Sequence, residues 1–219
     1  MKTKIVSKGN LIKNNSLAEK NKILNYAKSR FLKEGFYKIS MDTIASELQI
    51  SKKTIYKHFP AKEQLIEEMT FTIMTTVSAK VDEILNVKKN ALLKMSGLTE
   101  LLSDTIVQFS ENWVRDIRNH MPELWEKIDS FRIKKMNAAF SQLIEQGKKE
   151  KLFTNKPNEI ILTMFIASLR AIVNPDFLYY NKFSYREAVL ITMEILFNGI
   201  LTEKGKKLFY KSFPQMRDN

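Results

Sequence analysis

The chain has 219 residues, 44% of them hydrophobic, with 36 basic and 24 acidic side chains giving a formal charge of +12. That size and apolar content can bury one large core or two modest ones. The absence of cysteine excludes a disulfide framework, a thiolate nucleophile and cysteine-ligated zinc or iron–sulfur sites, and the two histidines are too few for a multi-histidine metal centre.

No run approaches the roughly 20 apolar residues of a membrane-spanning helix. The N-terminus lacks the compact apolar segment of a secretory signal. A globular, cytoplasmic protein without a membrane partner is therefore expected. Through Met69 the chain carries 14 basic and 7 acidic residues, a net of +7, and the rest carries 22 against 17, a net of +5. More than half of the excess lies in the first third, where a phosphate-facing surface would sit. A lysine-rich background would account equally well for the share of the later residues.

Residues 1–16 are polar, with Lys2, Lys4, Lys8 and Lys13 spread through them and no clear period. A flexible arm is expected there, able in a DNA-binding setting to touch phosphates or the minor groove. Residues 17–34 come next, with an apolar stripe of Ile23, Leu24, Ala27, Phe31 and Leu32, ended by Gly35.

The stretch SMDTIASELQISKKTIYKHFPAKEQL, residues 40–65, reads as two short helices and a tight turn. Ser40 is placed to cap a helix over 42–48 whose Ile44, Ala45 and Leu48 share a face. Gln49, Ile50 and Ser51 turn the chain, and Ser51 caps a second helix over 52–59 whose Ile55 and Phe59 point inward. That is a helix-turn-helix. At about 100° per residue, Lys53 and Lys57 project opposite Ile55 on one outward ridge, flanked by Thr54 and His58 on one side and Tyr56 on the other. Lysine can donate to guanine acceptors, threonine offers a methyl and a hydroxyl to base edges, and tyrosine and histidine can reach phosphates. Taken alone, an eight-residue window of this kind reads more readily as an amphipathic helix with solvated lysines.

After Pro60, residues 62–87 form one long helix that runs from an N-terminal head into a C-terminal body. Leu65, Ile66 and Met69 are assigned to the head, and Ile73, Met74, Val77, Val81, Ile84 and Leu85 to the body. Further helices are expected at 91–110, 112–120, 122–149, 157–173 and 184–201, with Pro122, Gly147, Pro157 and Pro175 at or near their ends. The fold class is all-α. The last two of these helices, around IILTMFIASLRAIV and AVLITMEILFNGIL, are too apolar for a solvated surface.

Catalytic chemistry does not assemble. Single scattered glycines form no dinucleotide or phosphate loop, and carboxylate pairs such as Glu67 with Glu68 read as solvated charge, so neither an enzyme nor a cofactor or metal is expected. The aromatic and methionine side chains of the central helices can fill a core or line a pocket, and the core reading leads. Arg170 interrupts an apolar run and needs a counter-charge. It pairs with a carboxylate such as Glu194, or it meets an acidic lipophilic ligand.

Thr43, Ile44, Ala45, Leu48, Ile50, Ser51, Thr54, Ile55, Tyr56, Phe59, Lys62, Glu63 and Leu65 stand in a pattern that resembles the N-terminal domain of the TetR family of bacterial transcription factors. The resemblance implies a three-helix DNA-binding head over residues 1–66 and a ligand-binding, dimerising body over 67–219. It places Lys52, Lys53, Thr54 and Lys57 toward bases and Thr43, Tyr56, His58 and Lys62 toward phosphates. It puts a homodimer interface on the last two long helices, which suits an inverted-repeat operator. It implies most often a repressor, working on nucleoid DNA and released by a small-molecule effector enclosed near Phe109, Trp113, Met121, Trp125, Phe140, Met164 and Arg170. Two positions depart from the family pattern: Gln49 stands where glycine is usual, and Ala61 where a capping serine or asparagine is usual. The competing reading is a helical binding or scaffold protein whose basic head associates with nucleic acid without sequence specificity.

Overall fold

A computed structural model describes the backbone of residues 8–172 and 174–212. Its elements are α1 (Lys8–Glu34), α2 (Met41–Glu47), α3 (Lys52–His58), α4 (Lys62–Asn86), α5 (Ala91–Val107), α6 (Glu111–His120), α7 (Pro122–Lys149), α8 (Asn158–Ile172), α9 (Pro175–Asn181), α10 (Tyr185–Ile200) and α11 (Glu203–Ser212). Apart from an isolated antiparallel bridge between Phe153 and Leu201, the described residues are helix and turn. The chain forms two compact units, one of residues 1–73 with 110–122 and the other of residues 74–109 with 123–219.

In the first unit, the head, the apolar stripe of α1 closes over α2, α3 and the start of α4. Ile23, Ala27, Phe31, Ile44, Ile55, Phe59, Leu65 and Met69 are all essentially inaccessible. Gly35 ends α1 at φ +81°, a conformation that glycine adopts without strain. The expected arm is corrected over residues 8–16, which are the first turns of α1. Adding turns to an already packed helix fixes one residue per hydrogen bond and avoids a second nucleation, so the polar sequence continues the helix. Residues 1–7 of that arm lie outside the described residues. Residues 110–122, assigned by their position in the sequence to the body, cluster with the head instead.

The second unit, the body, is built around a run of rings. Phe140, Phe165, Phe197 and Phe209 succeed one another at centroid separations of 5.4, 5.5 and 5.7 Å. α10 packs against both α5 and α8. Two glycines are required by close approach: a Cβ on Gly147 would lie 2.2 Å from the Phe153 ring, and one on Gly205 would lie 2.2 Å from the Leu152 carbonyl oxygen. The second lies in α11, a helix beyond the last one expected from the sequence, and lets it pack close to the Leu152 backbone. Thr202 caps that helix, accepting the Gly205 N–H on its hydroxyl. α9, also unanticipated, opens with Pro175, whose fixed φ and missing N–H suit a first helical turn. A buried cation, Lys94, donates to the Leu85 carbonyl near the end of α4 and to Gln146, which keeps its ammonium hydrogen-bonded.

Candidate nucleic-acid interface

Both short helices of the head are capped as their serines require. Ser40 accepts the Thr43 N–H and Ser51 the Thr54 N–H, each at 3.0 Å. Between them Gln49 adopts φ 55°, so the left-handed turn that usually takes glycine is made here by a glutamine. α1 braces α2 through Arg30, which donates to Glu34 and at 2.5 Å to Glu47, while the Tyr26 hydroxyl donates to the other Glu47 oxygen. Hydrogen bonding from Tyr26 and then Arg30 holds the Glu47 carboxyl below its ordinary range.

The expected site residues divide into two groups. Lys53, Tyr56 and Lys57 are exposed. Neither lysine is engaged by any other described side chain or carbonyl, so both ammonium groups on the α3 ridge are available to a ligand. Thr43 and Thr54 are half-buried, and their hydroxyls share hydrogen bonds with Ser40 and Ser51 respectively. Lys52 is exposed but bridges back to Asp42 at 2.5 Å.

The other two are turned into the head. His58, with its side chain only 6% exposed, places Nε2 2.8 Å from a Glu19 carboxylate oxygen. Lys62 donates to the Phe36 carbonyl at 2.5 Å and more distantly to that of Tyr37. Burial pushes its ammonium pKa down, against the attraction of Glu63 and Asp116. An ammonium already serving two carbonyls and a histidine already serving a carboxylate are poorly placed to hold phosphate at the same time.

Sequence reasoning missed Asp116. Its Oδ2 accepts the backbone N–H groups of Phe36 and Tyr37, each at 2.8 Å, in the turn between α1 and α2. Ser110 caps α6 through the Trp113 N–H, and its own N–H donates to the Leu32 carbonyl. The Trp113 ring meets Phe36 edge-on at 5.5 Å, and His120 stacks on Tyr37 at 4.2 Å. α6 is therefore fastened to the head along its length. A signal was present: Asp116 lies between Trp113 and Ile117 on the apolar face of its helix, where an unpaired carboxylate would be costly.

The residues expected around an effector do not converge. Trp113 and Met121 belong to the head unit. Phe109 and Trp125 are half-buried in the body, Phe140 is in its core and Met164 is 55% exposed. Arg170 is also exposed, and its partner is Asp129 of α7 at 2.8 Å instead of Glu194. Two cavities of about 30 Å³ each lie in the body, the first reached by Arg170 and the second by Phe140. Among the described residues, no cluster of acidic and histidine side chains could hold a metal ion, and no helix is long and apolar enough to cross a membrane.

Two capped helices, a tight left-handed turn and an open lysine ridge define a helix-turn-helix DNA-binding domain. Residues 23–69 match the family model described as bacterial regulatory proteins, tetR family. YvaF, an uncharacterized HTH-type transcriptional regulator of Bacillus subtilis (strain 168), is 24% identical over 178 residues, covering 80% of this chain and 92% of that protein. The nucleoid occlusion factor SlmA of Vibrio cholerae serotype O1 is 23% identical over 168 residues, covering 70% and 83%. A solved transcriptional regulator from Cytophaga hutchinsonii shares the fold with a TM-score of 0.64 at 22% identity, over 83% of this chain and 98% of that one. Residues 23–69 therefore carry the DNA-binding domain of the TetR family, and the proteins that this chain is similar to over most of its length include transcriptional regulators.

Proposed function

We propose that the protein binds an inverted-repeat operator as a homodimer and represses transcription until a small lipophilic effector releases it. The observation that carries the DNA-binding half is the ridge of Lys53 and Lys57, both exposed and unengaged on a helix whose opposite face, at Ile55, is fully buried. Lys52, Thr54, Tyr56 and Thr43 flank that ridge and supply further base and phosphate contacts. His58 and Lys62 act one step back, holding α3 and the start of α4 in place.

The dimer reading rests on the late helices. α8 exposes Ile160 and Met164, and α10 exposes Ile191 and Ile195, each pair one turn apart. A second copy across a two-fold axis would cover both pairs, and it would present two recognition helices to successive major grooves roughly 34–36 Å apart. Release is then a population shift: an effector that prefers a body conformation incompatible with that spacing lowers operator affinity by its differential affinity for the two states. On this reading the protein works in the cytoplasm, on the nucleoid.

Selection of sites from random duplex DNA with the full-length protein tests the proposal. The expected result is an enriched inverted repeat with fixed half-site spacing, bound with steep salt dependence. Replacing Lys53 and Lys57 together by alanine should cost about 100-fold in affinity for that site and erase its advantage over other sequences. Uniform weakening on all DNA, or no enriched sequence, would favour a non-specific nucleic-acid binder instead.

A further inference from the structure

The two body cavities share a wall. Leu102 and Met136 line both. Each holds about 30 Å³, room for roughly one water and an order of magnitude below a ligand pocket, so an effector fits only if they join and the side chains between them also move out of its way. Met136 is the side chain able to join them: it is unbranched, only half-buried, and can swing aside about three rotatable bonds. The merged space would run from Arg132 and Arg170 at one end to Phe140 at the other, with aliphatic side chains between.

The charges at its two ends differ. At the Phe140 end the only cation lining the cavity among the described residues is Lys135, neutralised by both oxygens of Asp82 at 2.7 and 2.8 Å. At the other end Asp129 is taken by Arg170, and Arg132 has no hydrogen bond or ion pair with any described residue. Arg132 is exposed to solvent and also lines the first cavity. Lost solvation and the neighbouring Arg170 push its guanidinium pKa down, against the pull of Asp129 and Tyr185. One cation without a paired carboxylate among the described residues thus lines a cavity whose other side chains, Asp129 and Arg170 apart, are apolar, and a ligand carboxylate there would make a charge-assisted hydrogen bond.

We propose that the effector is an amphiphilic carboxylate, with its head group on Arg132 and its apolar tail passing Met136 toward Phe140. This rests on the effector-release reading above and assigns that effector its chemical class. Asp129 then acts as the internal competitor, occupying Arg170 and leaving one guanidinium for the ligand.

Calorimetric titration of the full-length protein without DNA, using decanoate and the matched neutral alcohol decanol, tests this. Decanoate should bind at one site per chain and decanol at least tenfold more weakly. Arg132→Gln should weaken decanoate about tenfold and leave decanol unchanged, the size of a lost charge-assisted hydrogen bond. Asp129→Asn frees a second cation and should tighten decanoate several-fold, a gain that a merely misfolded variant cannot give. Equal binding of acid and alcohol, an unaltered Arg132→Gln, or no decanoate binding overturns the proposal. Site selection on the same preparation separates the two readings: a protein that selects an operator but ignores decanoate refutes only the ligand class, and one that binds decanoate but selects no operator refutes only the DNA reading.

Discussion

α2 and α3 bury four side chains between them, Met41, Ile44, Ala45 and Ile55, whereas α10 alone buries seven. Helices of 7 residues are too short to stand on propensity and have little apolar area to anchor them. The head makes up the difference with directional contacts: serine caps on α2 and α3, the Arg30–Glu47 pair, Lys62 on two carbonyls and Asp116 on two amides. The body uses volume, with rings packed in series and helices meeting along apolar faces. Hydrogen bonds fix angles, which the proposed base-reading role of α3 needs; packed volume can be redistributed, which the proposed effector response of the body needs.

This contrast can be broken at several points. The largest effect is expected in the body. Phe197→Ala, which removes the centre of the ring series, should cost about 3–5 kcal/mol in urea denaturation followed by Trp125 fluorescence in a Trp113→Phe background. If Trp113, followed in a Trp125→Phe background, lost stability in equal measure, the two units would melt as one and the contrast would concern local construction only. Next comes Asp116→Ala, which strands two backbone donors and should destabilise the head by about 2–3 kcal/mol on the Trp113 signal. A smaller loss would mean that water replaces the carboxylate at the turn. Ser51→Ala should cost about 1 kcal/mol and reduce operator affinity beyond that figure, because the cap also sets where α3 begins. The smallest effect has the opposite sign: Gln49→Gly removes a left-handed non-glycine residue and should stabilise the head by roughly 0.5–1 kcal/mol. A loss there would show the glutamine side chain making a contact that outweighs its backbone strain.

The same contrast explains what could be read from the chain. Caps and turns are local, so Ser40, Ser51, Gly35 and the inward Ile55 and Phe59 were visible within a window of a few residues. The long helices α7, α8 and α10 of the body are nearly as legible, because proline and apolar periodicity mark them, whereas the short α9 and α11 carry too few apolar positions to show a period. Side-chain partners were not. His58 looks outward by angle but meets Glu19, 39 residues away in sequence, and Arg170 meets Asp129 on a different helix from the expected Glu194. Arg132 lies among seven charged residues in the first half of α7, and only the packing of α8 singles it out. Trp113 and Met121 went to the wrong unit because chain order was taken for neighbourhood, which Asp116 overrules.

That reversal bears on how such proteins can be recombined. A chimera that joins this DNA-reading segment to a foreign sensor at a crossover near residue 73 would leave Phe36 and Tyr37 without the amide acceptor, ring and cap that residues 110–122 provide. A portable module would be two pieces of sequence, and a sensor that accepts this head must contribute a helix carrying the equivalents of Ser110, Trp113 and Asp116. On the proposed reading, exchange of binding specificity by a single splice is thereby restricted to partners that already share that helix.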